Sequence, residues 1–273
     1  MFIVKVPGIN GLGETRGCEK AGNEILKALK EEIYSNEKGN SIDVNRLDLE
    51  EIHLDNSNLE KTNKLIYKNA LETFELKPKT IFLGGDHSIS YSLTRAFLDY
   101  CEGIKGKEPC LIVFDAHPDC MPVTKGSDKY PNHEEWLRAL VEQGFPAKNI
   151  LLVGVRNSDP SEREFLKERN IRSIGMNSLL ENLEETCEVI MEFSDKKDLY
   201  LSLDIDVVDP VFAVGTGYKE PGGLTSREFI YLIQRLNKIK NLKAVDLVEI
   251  NPEKDKNNLT VKLGAKIVAE FLS

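Results

Sequence analysis

Histidine is scarce in this chain, four residues in 273, and Trp136 is its one tryptophan. The five cysteines (Cys18, Cys101, Cys110, Cys120 and Cys187) form no CxxC pair and make an odd total. That argues against a structural zinc site and against the disulfide framework of a secreted protein. No apolar run reaches membrane-spanning length. The opening MFIVKVPGING lacks a basic region and a small-residue cleavage site, so a cytoplasmic protein that does not engage membrane is expected. Basic charge is short as well: the formal net charge is −9 with no basic stripe, which weighs against a nucleic-acid partner. Neither GxGxxG nor GKS/T occurs around Gly84, Gly85, Gly222 or Gly223, so a phosphate cradle is excluded there and close backbone packing is the expectation. Internal repeats, low-complexity tracts and Gly/Ser linkers are missing too, and one domain over residues 1–273 is the simplest account.

What the chain does have is an ordinary soluble composition, 41% hydrophobic and 30% charged, at a length that can bury a substantial core. Short apolar runs with Gly, Asp or Asn at or next to their ends occur at residues 2–8, 80–86, 110–116, 149–155, 198–206 and 243–251, with a weaker candidate at 41–47. Their near-continuous Val, Ile and Leu predicts strands buried on both faces. Residues 18–35, 58–76, 88–102, 133–144, 160–170, 177–193, 225–239 and 259–271 carry helical spacing. Ser88, Asp159 before Pro160, and Thr225 with Glu228 read as helix starts. This alternation predicts an α/β fold of three αβα layers around a central, mainly parallel sheet, in which ligands gather at the carboxyl ends of the strands.

The unusual residues lie at those ends. In VFDAHPDC (113–120), Asp115, His117 and Asp119 alternate, so an extended backbone would turn all three to one side. SLDIDVVDP adds Asp204 and Asp206, and GGDHS adds His87. So many carboxylates on one rim repel one another unless cations neutralise them. Imidazole and carboxylate without thiolate favour a hard or borderline divalent ion, manganese above zinc. Singly, each Asp is explained as a turn former and each His as surface or core; together, three of the four histidines (His87, His117, His133) fall at or just past these ends. His53, in EEIHLDN, keeps the ordinary reading, as do Asp209 and Pro210, which read as a turn closing the strand.

Four ordered segments, GGDHS, DAHPD, SLDIDVVDP with GTGYKEPGGLTSRE, and VEINP, resemble the signatures of the ureohydrolases, the arginase and agmatinase family. The likeness runs from Gly84 to Pro252, with an echo in TRGCEKAGNEIL. It implies a binuclear manganese hydrolase that cleaves a guanidino C–N bond to release urea and an amine. It implies two Mn2+ per chain, one held by His87, Asp115, Asp119 and Asp204, the other by Asp115, His117, Asp204 and Asp206. It implies Glu249 as the carboxylate that grips the guanidinium, His133 as a proton shuttle, and a homo-oligomer, trimer or hexamer.

For the substrate's far end the resemblance points two ways. Asp159 and Glu162 in GVRNSDPSERE resemble an arginase segment that contacts an α-amino group, yet Asp-Pro-Ser-Glu is also a good helix start. Met121 stands where arginases place an asparagine, and Glu134 and Glu135 follow the loop histidine, which favours a purely cationic tail, although the two glutamates read equally as first-turn helix charges. Arginine and agmatine lead, with formimidoylglutamate or other guanidino acids behind them, and a single-zinc deacetylase-like amide hydrolase is the alternative. Val214 replaces a common proline, Cys120 is expected to be buried and inert, and Trp136 to be a packing anchor.

Overall fold

The computed structural model describes residues 1–104, 106–124 and 130–272. The apolar runs form strands β1 (Phe2–Val6), β2 (Asp48–Glu51), β3 (Thr80–Gly84), β4 (Pro109–Phe114), β5 (Ile150–Val155), β6 (Arg172–Gly175), β7 (Asp198–Asp204) and β8 (Leu242–Val248). The helices are α1 (Ala21–Glu31), α2 (Leu59–Leu76), α3 (Ile89–Glu102), α4 (Trp136–Glu142), α5 (Pro160–Arg169), α6 (Met176–Glu181), α7 (Leu183–Phe193), α8 (Ser226–Leu236) and α9 (Leu259–Phe271). Among the described residues no helix is long and apolar enough to cross a membrane.

One sheet in the order β2-β1-β3-β8-β7-β4-β5-β6 carries all eight strands, and every neighbouring pair runs parallel. The two-residue alternation of side chains divides the core. Leu111 and Val113 of β4 pack with α2, α3, α4 and α5, whereas Ile112 and Phe114 pack with α1, α6, α7, α8 and α9. Both faces are covered, which is why the central strands are apolar throughout, at roughly 1.5–3 kcal/mol for each large side chain buried. The outer strands β2 (DLEE) and β6 (RSIG) are polar and largely exposed, which blunts the sheet edges.

The differences from the sequence reading have local causes. Most of the expected strands end two or three residues early, because the Gly, Asp and Asn residues at their tips turn the backbone out of the sheet. The 41–47 segment is not a strand: Asp43 caps a single 3-10 turn at Val44–Arg46, and the edge strand begins at Asp48. The 177–193 segment is two helices, broken at Asn182, whose side chain caps α7. Ser88 precedes α3 but makes no cap with its side chain; its hydroxyl turns back to Asp86. The Thr225–Glu228 capping box is present, and Asp159 with Glu162 forms a second. Asp209 closes the turn, accepting from the amides of Val211 (2.9 Å), Gly222 (2.7 Å) and Gly223 (3.2 Å).

Candidate metal centre and active site

The strands β3, β8, β7 and β4 are consecutive in the sheet, so the segments leaving their carboxyl ends share one rim. They deliver His87, Glu249, Asp204 with Asp206, and Asp115 to Asp119. Close backbone approach makes this possible: a Cβ on Gly85 would stand 1.8 Å from the carbonyl oxygen of Gly8. The alternation argument fails for Asp119, since β4 stops at Phe114 and the chain folds back with Asp119 in the left-handed region at φ 51°. Asp119 reaches the rim through that turn rather than by strand periodicity. Glu249 is likewise left-handed, at φ 63°, a costly conformation for a long side chain and one that clusters at functional sites.

His87 is fully buried, and its Nδ1 lies 2.8 Å from Asp119 Oδ2, 3.1 Å from Asp115 Oδ2 and 3.2 Å from Asp204 Oδ2. Despite these distances neither His87 Nδ1 nor Asp115 Oδ2 has an aligned hydrogen bond. The other oxygens are tied to backbone amides: Asp115 Oδ1 accepts from His117 N at 2.7 Å, and Asp204 Oδ1 from Asp206 N at 2.8 Å. On the far side of the ring, Nε2 lies 2.9 Å from Ser202 Oγ, which donates to Asp246 Oδ1 at 2.7 Å. Asp246 also accepts from Ser90 Oγ (2.7 Å), Tyr200 Oη (2.9 Å) and Leu203 N (3.3 Å), a donor set suited to an ionised carboxylate. Having given its one proton to Asp246, Ser202 accepts from Nε2–H, which in the neutral imidazole leaves a lone pair on Nδ1 facing three oxygens. A proton on Nδ1 could serve one of those oxygens, whereas a divalent cation serves all of them.

A second group adjoins the first through Asp115. His117 Nδ1 is 2.9 Å from Asp206 Oδ2 and 3.6 Å from Asp115 Oδ1, and the other Asp206 oxygen accepts from Ala116 N at 2.9 Å. Ligand-type atoms of His87, Asp115 and Asp204, and again of Asp115, His117 and Asp206, all lie within 4.8 Å of one another in each set. His117 Nε2 faces Glu220 Oε1 at 3.4 Å, and Asn157 Nδ2 donates to that oxygen at 2.7 Å. Asp119 Oδ2 accepts from Trp136 Nε1 at 3.0 Å, so Trp136 is more than a packing anchor.

The electrostatics call for added positive charge. Burial first, then Asp206 and Asp115, pushes Asp204 well above the usual carboxylate range. Burial and Asp115 push Asp119 up to about 7 and raise Asp206 as well. Burial opposes a charge on His87 and His117, but the surrounding carboxylates outweigh it and raise both. Burial opposes ionisation of Asp115 also, yet the two imidazoles beside it hold it low.

The rim opens into a cavity of about 440 Å³. His133, Glu134, Asp159, Glu162, Glu220 and Glu249 reach its wall beside Met121 and Tyr218. His133 is buried, and burial followed by the charge of His87 pushes its imidazole down to about 4. Glu249 Oε1 accepts from His87 N at 2.9 Å, Oε2 meets Cys18 Sγ at 3.8 Å, and burial together with Asp86 raises its carboxyl well above the usual range. Asp159 stands exposed on the rim with Oδ1 engaged by Ser161 N at 2.8 Å, so its helix-starting role is realised. Glu135 is not on the cavity wall: it is buried and binds Thr124 N (2.9 Å) and Asn132 N (3.2 Å).

Sequence reasoning missed Ser202, Asp246, Glu220 and Tyr218. Asp246 was visible as the one acid inside the apolar run KAVDLV, and it lies in register with Ser202 on β7. Nothing in GTGYKEPGG marks Tyr218 or Glu220.

A sequence model described as Arginase family matches residues 1–273. The arginase of Staphylococcus aureus (strain MRSA252) is 29% identical over 303 residues, spanning 98% of each chain. Among solved structures, the fold is similar to formimidoylglutamase from Bacillus subtilis subsp. subtilis str. 168, with a TM-score of 0.88 at 24% identity over 99% of this chain and 85% of that one. It is also similar to the agmatine ureohydrolase of Thermoplasma volcanium, with a TM-score of 0.82 at 25% identity over 99% of this chain and 88% of the other.

Proposed function

The chain belongs to the arginase family, hydrolases of guanidino and amidino C–N bonds, and from that premise we propose that it hydrolyses the guanidino group of a small cationic amine to urea and the free amine at a two-manganese centre. The observation that carries this is His87 Nδ1, buried without an aligned hydrogen bond and 2.8–3.2 Å from oxygens of Asp119, Asp115 and Asp204, a donor set that fits a divalent cation. His87, Asp115, Asp119 and Asp204 would hold one ion, and Asp115, His117, Asp204 and Asp206 the other. The adjacency of two His/Asp groups through Asp115 supports two ions over the single zinc of a deacetylase-like site. Mixed imidazole and carboxylate donors suit manganese. When bound, the cations supply a water whose pKa falls from 15.7 toward about 7, which makes a nucleophile available at neutral pH.

The protein's own groups arrange the rest. Guanidinium carbon is a poor electrophile, so its orientation relative to the nucleophile contributes much of the rate. Glu249 presents a carboxylate to the planar N–H fork of the guanidinium, and a buried carboxyl raised this far ionises readily only beside such a cation. His133, lowered to about 4, is neutral at pH 7; it takes the proton that the consumed water gives up and passes it to the nitrogen that leaves as the C–N bond breaks.

The cavity wall supports a cationic tail. Glu134, Asp159 and Glu220 line it, with Glu162 engaged by the amides of Cys120 and Asp159, and among the described residues no Lys or Arg does. Met121 offers no donor to a substrate carboxylate. Agmatine therefore fits better than arginine, and formimidoylglutamate, an anion at its far end, fits worst. The test is a urea assay of metal-loaded protein against agmatine, arginine and other guanidino acids. Preference for arginine would overturn the assignment of the tail, and no urea from any member would overturn the reaction.

A further inference from the structure

His133 is only 4% exposed, and among the described residues neither of its ring nitrogens has a hydrogen-bond partner. The imidazoles of the metal rim are oriented differently: Ser202 fixes His87 and Glu220 faces His117. His133 Nε2 stands 3.8 Å from Glu134 Oε1, beyond hydrogen-bonding reach, and what faces the plane of the imidazole is a second ring. The His133 centroid lies 5.2 Å from that of Tyr218, with the planes 31° apart, and the same phenol meets His117 edge-on at 6.4 Å and 78°.

The Tyr218 ring is well placed to impose an orientation, because the segment that carries it is tied down on both sides. Asn251 N donates to Gly215 O at 2.7 Å, and Gly215 N to Thr260 Oγ1 at 2.8 Å. Beyond Tyr218, the Arg156 guanidinium grips Glu220 O at 2.6 Å and Pro221 O at 3.1 Å. Gly217 passes so close to Glu14 that a Cβ there would stand 3.0 Å from its carbonyl oxygen. The platform is thus fixed through Asn251 to the segment leaving β8, which also carries Glu249, through Thr260 to α9, and through Arg156 to the end of β5.

We propose that Tyr218 is a positioning residue: by stacking on His133 it sets the plane of an imidazole that no hydrogen bond orients, and so aims a ring nitrogen at the departing amine. This rests on the amidinohydrolase reading above. A ring that only shaped the cavity would act on substrate binding, whereas a ring that orients His133 acts on the chemical step.

The experiment uses the full-length, manganese-loaded protein with its best guanidino substrate. Tyr218→Leu, which keeps bulk but removes the aromatic face, is expected to lower kcat roughly tenfold with KM within about twofold, and Tyr218→Phe to restore kcat to within about twofold of wild type. In a His133→Asn background, Tyr218→Leu is expected to cost nothing further. A rise in KM alone, a Phe variant as impaired as Leu, or full additivity with His133→Asn would each overturn the proposal. A second readout needs no turnover: in histidine-labelled metal-free protein, the His133 Cε1–H resonance, identified by its loss in His133→Asn, should move in Tyr218→Leu and stay in Tyr218→Phe. A resonance that Tyr218→Leu leaves in place overturns the stack. If wild type releases no urea from any guanidino compound, the reaction itself falls and the positioning role with it, whatever the spectrum shows.

Discussion

His87 Nε2 lies 2.9 Å from the hydroxyl of Ser202, and that contact decides which face of the imidazole carries the proton. Ser202→Ala removes the acceptor, so Nε2–H loses its partner and the Nδ1 lone pair is no longer fixed toward Asp115, Asp119 and Asp204. Asp246 keeps Ser90, Tyr200 and Leu203 as donors, so the loss of fold stability should stay near 1 kcal/mol. Metal affinity should fall about 10–100-fold, as expected for an outer partner of a metal-bound histidine. Titration of metal-free protein with manganese, followed by metal analysis, checks this; wild-type affinity in the variant would show that the Ser202 contact does not set the tautomer.

Removal of metal should reverse the usual response to acid. In the metal-free protein Asp119, Asp204 and Asp206 have folded pKa values above the ordinary carboxylate value, and His87 and His117 are raised as well. The folded state then binds more protons than the unfolded chain across this window, so stability declines as pH rises. For Asp119 the loss falls between the unfolded carboxylate range and about 7. His133, lowered to about 4, opposes the trend in part. Chelated protein should therefore melt at a higher temperature at pH 5.5 than at pH 7.5. Manganese at 100 times its Kd should add about 2.7 kcal/mol for each ion bound at pH 7.5, or roughly 5–10 °C in Tm per ion. Asp204→Ala should keep the far-ultraviolet dichroism of wild type and lose that metal-dependent increment; an unchanged increment would remove Asp204 from the ligand set.

The parts of this site visible in the sequence are those whose chemistry is odd in their setting. Asp204 and Asp206 interrupt an apolar strand tip, and His117 stands between two aspartates, so each was conspicuous before any fold was known. The central strands were visible for the same reason, since burial on both faces demands unbroken apolar runs. β6 escaped because RSIG is an exposed edge with little apolar content. The convergence of Asp119 was expected for the wrong reason: a left-handed turn, not a continued strand, brings it to His87. Glu135 and Glu134 are adjacent and chemically alike, yet one faces the cavity and the other is consumed by loop amides, a distinction made by backbone geometry alone.

Charge on the cavity wall offers a direct test of the substrate's tail. Glu134 is half-buried beside His133 and burial raises its carboxyl, so it faces the space a substrate tail would enter. Glu134→Lys places a cation there. The kcat/KM for a guanidino amine should fall at least tenfold while that for a guanidino acid rises, so the ratio of the two moves by more than either alone. Fold stability should change little, within about 0.5 kcal/mol, since the side chain is partly solvated. If the ratio does not move, the tail lies elsewhere in the cavity.

Far from the rim, Phe74 of α2 joins the helical layer to the sheet. Its ring meets Phe82 of β3 at 5.8 Å and 80°, Phe97 of α3 at 5.7 Å and 70°, and Tyr200 of β7 at 6.5 Å and 79°, all edge-on. Tyr200 in turn donates to Asp246, so the aromatic cluster and the buried polar chain behind His87 share a side chain. Phe74→Ala should cost about 3–5 kcal/mol, the transfer term plus a cavity that the surrounding rings and helices cannot close. Denaturant unfolding measures that loss. The informative comparison is with metal affinity at a temperature well below the melt: Tyr200 is held by Phe97 and by its bond to Asp246 as well as by Phe74, so affinity should drop less than threefold. A larger drop would mean that packing, and not the Ser202 hydroxyl alone, keeps His87 turned toward the carboxylates.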